Sequence, residues 1–437
     1  MNNNYADPPY VKISDADASG LFSSGLEYNA PARGMWNIVH MGMLIPDAHQ
    51  IYVCAQGCLR GVILTAAEMF ELDRLSWISV SEEDMFNGHL ESDIVDGTAD
   101  ILRRLDRRPP VVLLFLSCIH MFAGVDFENA LNELSEMFPD ITFIDCYMTP
   151  TMRQTVSPVV KMNAQLYAPL KKREKDPKAI AIIGCDRPTD ETSELIGMIR
   201  RAGYSIKDIT ACSSFEEYLS IAESSLNIFY IPTAKLAGEE LEERFGTKAL
   251  YLPACFDSNE LKDGYRQLCG ELDIPLPDLS EQESRASKAL DDARAVIGDT
   301  EIAIDFTAVT RPFGLAKLLC EHGFNVTSVI ADTAGEETSA FEWLKANRPD
   351  LMIYAAANVN MLNFPERPHS KTLAVGQKAA HYFNTDNFVN IVMNGGYYGF
   401  SGIEKLAALM TEAYRTPKDR RTLISHKGFG CASCLDS

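Results

Sequence analysis

The sequence lacks any long apolar segment. In 437 residues the longest apolar stretch is residues 111–116, far shorter than the roughly 20 residues that a membrane-spanning helix needs. The first 20 residues are polar and acidic, without the basic start and apolar run of an export signal. We therefore expect a cytoplasmic protein without membrane contact, whose thiols stay reduced.

The sequence also lacks a basic excess and a phosphate-binding loop. Lys and Arg number 40 against 61 Asp and Glu, a formal net charge of -21 that repels nucleic-acid phosphates. No G-x-x-x-x-G-K-[ST] motif is present, so we expect a partner to handle any nucleotide. A soluble partner with a basic docking surface would suit this acidic chain.

What is present is an alternation of short apolar runs with amphipathic helical stretches. Residues 179–183 predict a buried strand, residues 191–202 a helix that ends at Gly203, and residues 204–209 the next strand. Similar patterns follow, with predicted strands at residues 50–53, 111–116, 141–144, 249–252, 301–306, 325–330 and 349–354. The alternation predicts an α/β protein with parallel sheets.

Charged and polar segments divide this pattern into three parts. Residues 171–176 and 280–299 are the two candidate boundary segments. We predict three doubly wound, Rossmann-like domains: residues 1–170, residues 171–295, and residues 296–437 including a C-terminal tail.

Several of the 11 cysteines fall at the predicted ends of strands. Cys54 follows one strand, Cys58 lies four residues later, and Cys118 ends another. Ligands bind at the carboxyl ends of strands in open α/β sheets, and thiolates are the usual ligands of iron–sulfur clusters. Cys54, Cys58 and Cys118 are therefore our candidate ligands, although buried cysteines often serve only as small apolar residues.

The other cysteines are weaker candidates. Cys146 and Cys185 also follow strands, whereas Cys212, Cys269 and Cys320 fall on presumed helices and are expected to pack in the core. A single CxxC at Cys431 and Cys434 has three open interpretations: a cluster ligand pair, a redox dithiol, or no function.

Four further residues have two possible interpretations each. His40, His49 and His120 are expected near the cysteines, where a histidine can donate protons, but structural histidines are commoner. Arg311 precedes Pro312 at a predicted helix start, an arrangement that suits an anionic ligand. The alternative for Arg311 is a solvated loop residue.

The order of these motifs resembles the nitrogenase component 1 family. The resemblance extends from roughly residue 30 to residue 415. It rests on Gly57-Cys58, on Cys118 with Gly124-Val-Asp126, on residues 222–228, on residues 236–245 with Gly246, on residues 349–354, and on Gly396-Tyr-Tyr-Gly-Phe400. In that family a glycine–cysteine turn and a later strand-end cysteine hold a cluster at a subunit interface.

The sequence departs from the family pattern in informative places. The usual His-Gly-Pro-x-Gly-Cys is Cys54-Ala-Gln-Gly-Cys58 here, and residues 28–36 lack the family's earlier cluster cysteine, for which Cys54 could compensate. The cysteine and histidine that hold the active-site metal cofactor in dinitrogen-reducing chains are absent near residues 229–231 and 385–388. Dinitrogen reduction with that cofactor is not expected.

The resemblance implies an anaerobic iron–sulfur oxidoreductase subunit with a 4Fe-4S or larger cluster. An ATP-dependent iron protein would supply low-potential electrons for an unidentified substrate in a cleft between the domains. Paired chains are implied, either a homodimer or a heterotetramer with a homologous chain. Two alternatives remain: a non-catalytic scaffold or carrier for cluster or cofactor assembly, and a cluster-free small-molecule binder.

Overall fold

A computed structural model describes residues 9–22, 25–28, 30, 32, 38–149 and 156–425. These residues form three parallel-stranded sheets with helices packed on their faces, which confirms the predicted α/β fold class. We call each sheet with its helices a unit. In the described residues no helix is long and apolar enough to cross a membrane.

The first unit contains four parallel strands in the order β3-β2-β4-β5. The strands are β2 (His49–Ala55), β3 (Leu75–Val80), β4 (Val111–Ser117) and β5 (Thr142–Met148). Its helices are α1 (Ile38–Gly42), α2 (Gln56–Glu68), α3 (Glu82–Asn87), α4 (Leu90–Arg104), α5 (Cys118–Ala123) and α6 (Phe127–Met137). Every residue of β4 is buried, as expected for a central strand covered on both faces.

The second unit repeats this arrangement with the order β7-β6-β8-β9. Its strands are β6 (Asp176–Ile182), β7 (Ser205–Asp208), β8 (Ser224–Phe229) and β9 (Lys248–Tyr251). Its helices are α7 (Pro158–Gln165), α8 (Glu194–Arg201), α9 (Phe215–Leu219), α10 (Lys235–Phe245) and α11 (Ser258–Leu272).

The third unit has six strands in the order β1-β12-β11-β10-β13-β14. Five are parallel: β10 (Ile302–Asp305), β11 (Val326–Ile330), β12 (Met352–Tyr354), β13 (Leu373–Val375) and β14 (Phe388–Val389). The edge strand β1 (Tyr10–Lys12) is antiparallel to β12, so this N-terminal segment lies on the third sheet rather than the first. The helices are α12 (Ser280–Ile297), α13 (Pro312–Glu321), α14 (Thr338–Asn347), α15 (Gln377–Tyr382) and α16 (Gly399–Arg415).

In each sheet the strand order reverses at one point. In the first unit the chain moves from β2 outward to β3 and then returns to place β4 on the other side of β2. The equivalent neighbours are β6 and β8 in the second unit, and β10 and β13 in the third. Such a reversal leaves a crevice at the carboxyl ends of the two strands, where ligands of α/β proteins bind.

Candidate metal centre

The three candidate cysteines lie at the reversal point of the first sheet. Val53 of β2 is opposite Leu116 of β4, so Cys54 and Cys118 lie one and two residues beyond a paired position. Cys58 is in the first turn of α2, which starts directly after β2. We call Cys54, Cys58 and Cys118 the cysteine edge.

The three thiols differ in their access to solvent. Cys58 is exposed and Cys118 is half-buried, whereas Cys54 is fully buried. The difference arises because Cys54 is still within the strand, while the other two begin helices. The cysteine edge therefore reaches from the interior of the unit to its surface.

Burial raises the pKa of the Cys54 thiol to about 12, and the nearby Cys58 and Cys118 act in the same direction. The Cys58 and Cys118 side chains are thus close enough to Cys54 to affect its ionisation. At neutral pH Cys54 is a protonated thiol, and only a coordinated metal would remove its proton. The first turn of α2 presents backbone N–H groups that favour a negatively charged ligand at Cys58.

This donor set fits a thiolate-ligated cluster in its chemistry, and the described part of the chain supplies three thiols to it. Among the described residues, no three His, Cys, Asp or Glu side chains are gathered closely enough to hold a metal ion. Gly57 has open space around its Cα, so the outer side of the cysteine edge is accessible. Any further ligand must approach from that open side.

The other described cysteines lie elsewhere in the fold. Cys146 is buried within β5, and Cys185 is buried at the reversal point of the second sheet. Cys269 and Cys320 lie on helices as expected, but the helix predicted at Cys212 is wrong, because Cys212 follows a short 3-10 turn. Cys431 and Cys434 are outside the described residues.

The histidines do not surround the cysteine edge as expected. His49 is the first residue of β2, at the opposite edge of the sheet, where its Nε2 is 2.8 Å from Ser76 Oγ. Its burial, followed by the charge of Arg74, lowers its pKa to about 4, so it is neutral. His120 follows Cys118 by two residues and is buried, with Nδ1 3.3 Å from Ser117 Oγ. His40 is half-buried on α1.

The structure contradicts the solvated-loop interpretation of Arg311. Its guanidinium is buried rather than solvated, and it donates to Glu260 at 2.9 Å and to Glu336 at 3.1 Å. The helix start beside it is occupied as well, because Gly314 N donates to the Glu337 carboxyl group. The chain's own carboxyl groups thus fill the place where an anionic ligand was expected.

Sequence reasoning missed the small cavities between the second and third units. Three cavities of about 20, 50 and 10 Å³ lie along this boundary. The smallest adjoins Cys185, Tyr230 and Ile231 and is closed by Met393 and Gly396 of the third unit. Residues 393–396 all have positive φ and form one turn of left-handed backbone. The sequence Asn394-Gly395-Gly396 favours this conformation, because Asn and Gly adopt it more readily than other residues.

The fold and the cysteine edge together define a class: a protein of three parallel α/β units with three cysteines at the first reversal point. Two solved structures described as nitrogenase Cp1, at pH 6.5 and at pH 5, share this fold. The first has a TM-score of 0.65 at 14% identity and covers 92% of this chain and 96% of that one. The second has a TM-score of 0.60 at 14% identity, with 93% and 94% covered.

A family model for nitrogenase component 1 type oxidoreductases matches residues 38–416. The chain belongs to this family. Members generally bind iron–sulfur clusters, partner with an iron protein and form multi-subunit assemblies. No curated protein matches the sequence.

Proposed function

We propose that the chain is an iron–sulfur oxidoreductase subunit that accepts low-potential electrons from an ATP-dependent iron protein and reduces an unidentified substrate. Cys54, Cys58 and Cys118 would hold the cluster, which is 4Fe-4S or larger. The observation that carries this proposal is the position of these thiols at the reversal point of the first sheet, on its open edge.

The cluster would supply one-electron transfer, and the chain's own residues would hold and orient it. Cys58 and Cys118 supply thiolates from the accessible side of the edge, and Cys54 supplies one from the buried side. Because the described residues do not gather a complete donor set, we propose that a second component 1 chain, either a copy or a homologue, completes it.

Two exposed apolar pairs flank the cysteine edge. Met121 and Phe122 follow Cys118 on α5, and their side chains are 49% and 73% exposed. Met85 and Phe86 lie on α3 beyond the end of β3, and are 44% and 89% exposed. All four lie at the same edge of the first sheet as the cysteines, because β2, β3 and β4 are parallel.

We assign a different partner to each pair. The α3 pair follows the exposed carboxylates Glu82 and Glu83, a combination that fits a basic electron-donating partner. The α5 pair directly adjoins Cys118 and carries no acidic residue of its own, and we propose it for the second component 1 chain. Acidic residues around an apolar anchor would guide the donor to the edge where its electrons are needed.

The test is ATP-dependent reduction. The anaerobically purified chain is mixed with the iron protein of the same source, ATP and excess dithionite, and the visible absorbance is recorded. We expect ATP-dependent bleaching in the wild type and in a Cys212→Ser/Cys320→Ser control, whose thiols are also half-buried. The Cys58→Ser/Cys118→Ser variant is expected to show none, and equal bleaching in both variants would contradict the assignment.

One observation favours a second candidate function, a non-catalytic scaffold or carrier. The three boundary cavities have room only for a few waters, which is too little for a substrate. A scaffold would pass its cluster to an apo-acceptor protein without continuous oxidation of dithionite. A reductase would oxidise dithionite over many turnovers once its substrate is supplied.

A further inference from the structure

Three cavities at the boundary between the second and third units have room only for water-sized molecules. A water molecule needs about 10–15 Å³ of cavity, and the three cavities here measure about 20, 50 and 10 Å³. They share lining residues: Cys255 borders the first two, and the segment at residues 393–399 borders the first and third. A larger molecule can enter this boundary only if the two units separate.

On one side of the boundary the contacts are buried. Glu194 of the second unit accepts from Ser401 N of the third unit at 3.0 Å and from Tyr265 Oη at 3.0 Å. The Tyr398 ring lies 5.2 Å from the Tyr230 ring and 6.0 Å from the Tyr265 ring. These five residues are all at least nine-tenths buried, so separating them would expose aromatic surface and an unpaired carboxyl group.

On the other side the contacts are ionic and reach solvent. Arg311 of the third unit donates to Glu260 of the second unit at 2.9 Å, and Lys317 donates to Asp257 at 3.0 Å. The Asp257 and Glu260 side chains are 38% and 48% exposed. We call these two cross-unit ion pairs the ionic side, and all four residues border the largest cavity.

Tyr251 adds a third polar contact here, with its Oη 2.8 Å from Glu336 of the third unit. Glu336 is 50% exposed and also accepts from Arg311. Although the Arg311 guanidinium is buried, the carboxyl groups of these ion pairs reach solvent, where salt screens the pairing. The aromatic and carboxyl contacts of the other side have no such access to solvent and are costly to break. The two sides of the boundary therefore differ in the work needed to open them.

We propose that the second and third units open on the ionic side while they stay joined at the start of α16. Opening would enlarge the 50 Å³ cavity into a cleft that a small molecule can enter, and closing would restore the two ion pairs around it. This inference is independent of the cysteine edge, so its failure would leave the cluster assignment untouched.

The test is amide hydrogen exchange followed by mass spectrometry on the full chain. The variant Arg311→Gln/Lys317→Gln removes both ion pairs, and Arg104→Gln/Lys288→Gln is its control. The control removes two exposed ion pairs, within α4 and within α12, with the same change of charge. Peptides that contain the amides of Asn259 and Gly314 report on the ionic side, and the Ser401 amide reports on the buried side.

We expect exchange on the ionic side to become about fivefold faster or more in the variant and to stay unchanged in the control. Exchange at Ser401 should not change. Equal rates in variant and wild type, or faster exchange on both sides together, would overturn the proposal, since the boundary would then be rigid or would separate as a whole.

Salt provides a second measurement that does not depend on a variant's folding. In the wild type, raising NaCl from about 0.05 M to about 0.5 M should accelerate exchange on the ionic side by screening the ion pairs. The double variant should show no such salt dependence. A wild type whose ionic-side exchange does not respond to salt would overturn the proposal.

Discussion

At the residue scale, the cysteine edge combines one inaccessible thiol with two that reach solvent. Cys54 is fully buried and its pKa is raised to about 12, while Cys58 is exposed. The nucleophilic form of cysteine is the thiolate, so reactivity depends on both access and pKa. This contrast can be measured in metal-free protein.

We expect iodoacetamide to modify Cys58 in the folded metal-free chain at least tenfold faster than Cys54, as read by peptide mass spectrometry. Between pH 7 and pH 8.5 Cys54 should remain unmodified, because its thiol stays protonated well below pH 12. In urea the difference should disappear. Comparable rates in the native protein would show that Cys54 is not held in the interior.

Glu337 is a second residue whose environment can be tested. It is 6% exposed, and burial raises its pKa from 4.5 to about 8, although hydrogen bonds from Gly314 N and Phe313 N oppose the shift. In the folded chain the group keeps a proton that the unfolded chain loses above about pH 4.5. Its contribution to stability is therefore complete at low pH and is lost as the pH rises towards 8.

We predict that Glu337→Gln removes this loss, because glutamine stays neutral and still accepts from Gly314 N. Relative to the wild type, the variant should gain about 2 kcal/mol or more in free energy of unfolding between pH 5 and pH 8. Urea denaturation at several pH values measures this. The exposed Glu342→Gln on α14 is the control, and parallel curves for Glu337→Gln and wild type would refute the prediction.

At the element scale, the start of α16 depends on a glycine. Gly399 has φ of +82°, and an added Cβ would collide with the Tyr265 hydroxyl and the Glu194 carboxyl group. Those atoms belong to the buried side of the boundary between the second and third units. The close approach of α16 to the second unit therefore requires a residue without a side chain at this position.

Gly399→Ala is expected to lower the free energy of unfolding by more than about 3 kcal/mol. Backbone strain at positive φ and the collision of the new Cβ with Tyr265 and Glu194 both destabilise the folded chain. Gly270→Ala on α11 is the matched control: its φ is ordinary and its Cα has open space, so alanine should stabilise by about 0.5–1 kcal/mol. Thermal unfolding followed by circular dichroism distinguishes the two. Similar effects of both substitutions would contradict the packing described here.

The elements that the sequence predicts best are those with an uninterrupted local pattern. The strands β4, β6 and β11 appear within a few residues of their predicted positions, because each has a buried run that includes adjacent apolar residues. The edge strand β3 was not predicted, since Ser76 and Ser79 interrupt its apolar residues. The strands β13 and β14 have three and two residues, too few to form a pattern.

The candidate site shows the same division between local and long-range information. The cysteine edge could be predicted because each thiol follows a recognisable strand. The surroundings of Arg311 could not, because its partners Glu260 and Glu336 are 51 and 25 residues away in the sequence. Only the packed boundary brings them together.

At the scale of the whole molecule, the three reversal points have different surroundings. The first lies beside the open cysteine edge, whereas the second is closed by residues 393–396 of the third unit. The exposed Phe86 lies on the open edge and is our proposed anchor for the electron donor. The matching aromatic on the opposite edge is Phe70, 69% exposed and placed just before β3.

We predict that Phe86→Ala slows ATP-dependent electron transfer at least tenfold. The reason is that a few aromatic residues supply most of the binding free energy of an interface. The iron content and oligomeric state should not change. Phe70→Ala should leave the transfer rate as in the wild type. Stopped-flow absorbance measures the rate, and equal rates for the two variants would remove α3 from the docking surface.

The central claim is that the cysteine edge holds an iron–sulfur cluster. Its most direct test is iron and acid-labile sulfide per chain after strictly anaerobic purification from a cluster-competent host, with Cys58→Ser/Cys118→Ser and Cys212→Ser/Cys320→Ser measured beside the wild type. We predict several irons and sulfides per chain in the wild type and the second variant, and loss of both in the first. A wild type without iron, or a folded Cys58→Ser/Cys118→Ser variant that keeps its iron, would contradict the claim.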